Sequence, residues 1–213
     1  MALFREHITV GALTGAAGVV LLYFYALVTD PILLALLFVV TTVASFLPDV
    51  DSDSGTPYHI VFGLFSIGCG GIALFWTLNH YPDVWYALVG IPAATLLFAW
   101  FIVGDIFKHF THHRGIMHSI PAMGIVALLA FLAAHHLAQG KMLSWWFAAA
   151  AAVGFATHLI LDEVHSEVNF EGMPFAAKKS LGTALKLFSE SRLVNLFTYL
   201  LLALLGYFVF ISQ

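Results

Sequence analysis

Residues 112–136 read HHRGIMHSIPAMGIVALLAFLAAHH. A dense polar group, His112, His113, Arg114 and His118, stands directly ahead of an apolar run. The run, about 119–138, is close to the roughly 20 residues that a helix needs to cross a bilayer. Two other sparse polar clusters also sit at the ends of apolar runs. LPDVDSDSG, residues 47–55, carries Asp49, Asp51 and Asp53. HLILDEVHS, residues 158–166, carries His158, Asp162, Glu163 and His165.

The composition agrees with spans rather than a soluble core. The 213 residues are 61% hydrophobic and 9% charged, where a soluble domain has about a quarter charged. Mean hydropathy is +0.95. The expected fold is all-α, a polytopic transmembrane helix bundle of about seven spans in a single domain over residues 1–213. The spans fall near 7–28, 31–47, 58–78, 84–104, 119–138, 143–164 and 192–212. The first is read as a retained span rather than a cleaved leader, because its apolar run continues through Leu27. Pro31 and Pro48 bound the second, since proline lacks an N–H and disfavours helix in its predecessor. In the loop 165–191, Ala177, Leu181, Ala184, Leu185 and Phe188 form a helical stripe, which predicts either an interfacial helix or an ordinary cytoplasmic linker helix between the sixth and seventh spans. Glycine and alanine at Gly11, Gly15, Gly18 and Ala148 to Ala152 predict close helix approach.

Charge sets the expected orientation. With seven spans, Arg5, Lys108, Arg114, Lys178, Lys179, Lys186 and Arg192 share one side and Lys141 has the other to itself. The positive-inside rule makes the crowded side cytoplasmic and the C-terminus external, in an inner membrane. Eight Lys and Arg without a basic stripe point away from nucleic acid. Cys69 is the sole cysteine, so no intrachain disulfide forms. Nothing in the chain fixes an oligomeric state.

The polar clusters carry the chemistry. His158 and Asp162 are four apart, so a helix presents both on one face. Imidazole with carboxylate suits zinc, manganese or iron. Taken alone, the pair reads more readily as a hydrogen bond between packed helices. Asp49, Asp51 and Asp53 repel one another when ionised unless a cation neutralises them, and a solvated turn is the alternative. His113 and His118 flank Arg114 and Gly115, ahead of a helix start marked by Ser119 and Pro121. Arg114 can hold a phosphate or carboxylate, or serve only as a positive-inside anchor. His7 at a span entrance is the fourth segment. The expected metal ligands are His7, Asp49, Asp51, His113, His118, His158 and Asp162. They exceed the needs of one tetrahedral ion, so one or two divalent ions, zinc foremost, are expected.

In this order (a histidine near the N-terminus, LPDxD, HRGxxHS, then HxxxD in a late span) the chain resembles the YdjM-like family of inner-membrane metal-dependent hydrolases, LexA-regulated in some bacteria. The matching residues are His7; Leu47, Pro48, Asp49 and Asp51; His113, Arg114, Gly115, His118 and Ser119; and His158 and Asp162. Ile116 and Met117 stand where the family pattern suggests an aromatic and a threonine. Ser52 stands where a histidine is frequent, which makes Asp53 a candidate substitute. The resemblance implies a hydrolase, although a fold-level likeness does not fix a reaction.

The expected activity is therefore metal-dependent hydrolysis at the cytoplasmic interface, on an amphiphilic lipid-like substrate such as a phosphoester. Arg114 would bind the anionic head, and Asp53 or Glu163 would be the general base. The alternatives are a metal-ion transporter or sensor, and a membrane scaffold with a structural metal. Transporters usually place ligands near the midplane on broken helices, whereas these clusters lie at span ends.

Overall fold

A computed structural model describes residues 3–51, 55–110, 116–137, 140–167, 185–189 and 191–212. They are helical almost throughout. The chain runs through α1 (Phe4–Phe24), α2 (Pro31–Ala44), a 3-10 turn (Leu47–Asp51), α3 (Thr56–His80) and α4 (Trp85–Leu97). A π-helical stretch (Phe98–Val103), α5 (Gly104–Phe110), α6 (Ile120–Leu137), α7 (Lys141–Glu167) and α8 (Arg192–Ile211) follow. Six of the helical stretches among the described residues are long and apolar enough to cross a membrane, with α4, the π stretch and the start of α5 counting as one. Together with the shorter α2 they give the expected seven.

Local chemistry sets the helix ends. Asp30 caps α2, its Oδ1 accepting from the Ile32 and Leu33 N–H groups at 2.8 and 3.0 Å. Pro31 follows at the first helical position, where its missing N–H costs nothing. At 14 residues α2 rises only about 21 Å, short of the ~30 Å hydrocarbon core. It stops before Pro48, which has no N–H to continue the ladder. The end of α1 is a Schellman turn. The Ala26 N–H reaches the Tyr23 carbonyl and the Leu27 N–H the Leu22 carbonyl, at 3.0 and 2.9 Å. Ala26 takes the left-handed position usually given to glycine, at φ 53°.

The helices pack as two compact units, residues 1–48 with 114–213 and residues 49–113. In the first, α7 packs on α1, α2 and α6, and α8 packs on α6. Phe155 and Leu159 of α7 form a core with Ala122 of α6. Phe131, Ala148 and Val209 join α6, α7 and α8. In the second, α3 packs on α4, and Gly70 lets its helix approach Leu96 and the Pro92 carbonyl. There the Lys108 ammonium sits 4.1 Å from the centre of the Tyr58 ring, and His59 stacks on Trp100.

The loop 165–191 departs in part from expectation. Residues 177–184 of the expected helix lie outside the described residues. Leu185 and Phe188, however, are not helical. Their stretch is a strap whose backbone is committed elsewhere. Lys186 pairs with Ser119 in an isolated bridge, and its carbonyl accepts from the Ile120 N–H at 3.1 Å. The Leu187 carbonyl accepts from the Tyr199 hydroxyl at 2.9 Å, and the Ser189 N–H donates to Asn195 Oδ1 at 2.7 Å. Groups used this way cannot also form an i to i−4 ladder.

Small residues hold α2 between α1 and α7. A methyl group at Gly154 would overlap the Thr41 carbonyl, and one at Gly11 would overlap the Ser45 side chain. Gly154→Ala should therefore force α7 off α2 and cost about 1–3 kcal/mol. Thermal unfolding in detergent should show a lower melting temperature for it. Gly18→Ala, whose added carbon meets nothing within 4 Å, should hold or gain stability.

Candidate metal centre

Four donors meet within the first unit. His7 comes from the first turn of α1, His118 from the turn just ahead of α6, and His158 and Asp162 from the last third of α7. Because α1 and α6 begin where α7 ends, the three elements deliver their donors to one end of this unit. The exposures of His7, His118, His158 and Asp162 are 1%, 0%, 0% and 1%. Burial this complete is rare for ionisable side chains unless they are paired or hold a metal.

Several of their separations suit ligands of one ion. His118 Nε2 and His158 Nε2 are 3.3 Å apart. His7 Nε2 lies 3.4 Å from Asp162 Oδ1. Asp162 Oδ2 lies 3.8 Å from His118 Nε2 and 3.9 Å from His158 Nε2. Donors ~2.0–2.1 Å from a tetrahedral ion stand about 3.3–3.4 Å from one another. The two shorter separations match that edge, and the longer two need only a small carboxylate rotation. His7, His158 and Asp162 each offer an atom lying within 4.8 Å of the others, the reach of one ion.

The surroundings orient the rings. His158 Nδ1 donates to the Ser45 carbonyl at 2.9 Å. A carbonyl only accepts, so in the neutral ring Nε2 carries the lone pair, and it is Nε2 that faces His118 and Asp162. The Ser45 hydroxyl lies 3.1 Å from the His7 carbonyl. The His7 ring stacks on that of His158, with centroids 3.8 Å apart and 15° between planes. Ser119, next to His118, has its hydroxyl on the Ile116 carbonyl, which tightens the turn that carries His118. Outside this group, His165 Nε2 faces Glu6 Oε2 at 3.5 Å.

The residues singled out in the sequence divide accordingly. His7, His118, His158 and Asp162 are brought together. Glu163 is next to Asp162 and so about 100° round the helix, on a partly buried face. Asp49 and Asp51 belong to the second unit, on the 3-10 turn, and both are buried. Asp53, His112, His113 and Arg114 lie outside the described residues. Ser45 and the strap at Lys186 gave no sequence signal, because a lone serine at a span end and a lysine in a loop have ordinary uses. The other described histidines keep separate company, His80 on Trp76 and His135 on Phe131.

The chemistry of the donor set fits a divalent ion. Three imidazoles and a carboxylate suit zinc, manganese or iron alike. Among known proteins, neither a curated protein nor a solved structure matches the chain. A family described as YdjM inner membrane protein matches residues 1–212. That match agrees with the spans and covers every residue of the buried group. This integral membrane protein belongs to the YdjM inner membrane protein family.

Proposed function

We infer that the chain is a metal-dependent hydrolase working at the cytoplasmic face of the inner membrane on a lipid-like substrate such as a phosphoester. The observation that carries this reading is the buried His7–His118–His158–Asp162 group, with donor separations of 3.3 to 3.9 Å at one end of a unit of membrane-spanning helices. These four residues would hold the ion. When bound, it supplies Lewis-acid polarisation and a water acidic enough to react near neutral pH.

The chain's own groups have distinct tasks. The Ser45 carbonyl fixes the His158 tautomer and presents Nε2 as a donor. Arg114 binds the anionic head and stabilises the charge that develops on it. Glu163 or Asp53 takes the proton from the attacking water. Asp49 and Asp51, two carboxylates two residues apart, are candidates for a second ion. The apolar helices exclude bulk water and strengthen each of these electrostatic effects.

A second reading has its own support. If all four residues bound one ion they would fill a tetrahedron, whereas catalytic zinc sites usually keep one position open. A structural ion in a membrane scaffold would be held in the same way. A metal-ion transporter is less favoured, because these donors lie at helix ends rather than on broken helices.

Elemental analysis of the protein purified in detergent should find one or two equivalents of zinc, manganese or iron. His118→Ala and Asp162→Asn should each lower that content at least roughly tenfold, as loss of a ligand does, with membrane insertion unchanged. Full metal content in both variants would remove the centre. Hydrolysis of lipid phosphoesters should fall by about 10²-fold or more in Arg114→Ala while metal content stays constant. A metal-loaded protein inert toward every lipid ester and phosphoester would favour the scaffold. Orientation is read separately. A cysteine placed at Lys141 should react with an impermeant maleimide from outside intact cells, and labelling only after lysis would reverse the topology.

A further inference from the structure

The glycines of α1 trace how this helix leaves α2. Gly11 lies against the Ser45 side chain, so the helices touch beside the buried donors. One turn on, Gly15 still lies against Phe38, where an added carbon would come within 3.2 Å. At Gly18 nothing lies within 4 Å. The helices have separated, and the space between them, bounded on the third side by α7, is a groove of about 380 Å³. That volume is within the ~300–1,000 Å³ typical of small-molecule sites.

The groove lies wholly in the first unit, on the helices that supply His7, Ser45, His158 and Asp162. Its wall on α1 includes Thr14, Gly18, Leu22 and Tyr25. From His7 these are steps of 7, 4, 4 and 3 residues, the helical repeat, so they continue the face that presents His7. They descend from about 10 to about 27 Å beyond His7, at 1.5 Å per residue. On α2, Thr41 stands one turn before Ser45, and its hydroxyl is committed to the Leu37 carbonyl at 3.0 Å. On α7 the wall is Trp146, Ala149, Ala150 and Val153. The lining therefore offers hydrocarbon and aromatic surface almost alone. The rim residues Leu21, Tyr25 and Leu27 are exposed, so the groove is continuous with the bilayer-facing surface.

We propose that this groove holds a hydrocarbon chain of a bilayer lipid. An aqueous solute is disfavoured, because the walls give it few hydrogen-bonding groups. An acyl chain needs none, and it enters sideways from the bilayer without leaving an apolar medium. Gly18 is small here to leave room for a ligand rather than to seat a helix.

The test uses the full chain in nanodiscs of phosphatidylethanolamine and phosphatidylglycerol. The probe is a phosphatidylglycerol with a diazirine in one acyl chain, and crosslinked peptides are mapped by mass spectrometry. Labelling should concentrate on Val19, Leu22 and Val153, which line the groove, over Leu200 and Leu204 of α8, which do not, by roughly tenfold. Gly18→Phe, which fills the groove, should abolish that excess with metal content unchanged, and Val153→Phe should do the same from α7. Equal labelling of groove and α8 would mean annular lipid only and would overturn the proposal. So would an excess that survives both variants. Metal analysis of the same samples separates the two readings. Metal with even labelling removes the groove and leaves the centre, while groove labelling without metal leaves the groove and removes the centre.

Discussion

A carboxylate at the end of an apolar helix, with its side chain shielded from water, has to be met by charge or by hydrogen-bond donors. Asp162 is in that position, and three imidazoles from three parts of the chain meet it. Two of those rings come from elements distant in sequence, so α1 and the start of α6 must both be held against the end of α7. The architecture of the first unit follows from this requirement. The contacts of α7 with α1, α2 and α6 run alongside the group, and the Phe155 and Leu159 core lies directly beside it.

The small residues make such closeness achievable. In hydrocarbon, helices gain little from apolar burial against one another, so packing and polar contacts decide where they meet. Gly11 and Gly154 remove the Cβ atoms that would keep α1 and α7 from α2. Ser45, at the end of α2, then reaches both neighbours, its carbonyl toward His158 and its hydroxyl toward the His7 carbonyl. Where the small residues cease to meet a neighbour, at Gly18, the same helices part and the groove opens. One set of contacts therefore gives a tight end that carries the polar group and a loose end lined by hydrocarbon.

The helical fold was legible because its signals are local. Apolar runs, the Asp30–Pro31 start and the proline stop near Pro48 need no knowledge of distant residues. The length of α2 was overestimated, since an apolar run does not reveal where a helix gives way to a 3-10 turn. At Leu185 and Phe188, the described end of the helical stripe, the pattern also misled. A periodic pattern in five or six residues is weak, and hydrogen bonds to Ile120, Tyr199 and Asn195 outweigh it. His158 with Asp162 was legible through its four-residue spacing, and His118 and His7 through their positions at span ends. Ser45 was not, because its role lies in its backbone carbonyl, which every residue has.

The sequence by itself determined that the chain is a set of apolar helices with histidines and carboxylates confined to a few helix ends. Composition and spacing suffice for that, because each is a property of a short stretch. Only the tertiary structure decided that His7, His118, His158 and Asp162 stand within a few ångströms of one another, that His158 turns Nε2 inward, and that α1 and α2 part beyond Gly15. These outcomes depend on distances between helices. Such distances are set by which faces can approach, through pairs such as Gly11 with Ser45 and Gly154 with Thr41, whose members lie far apart along the chain.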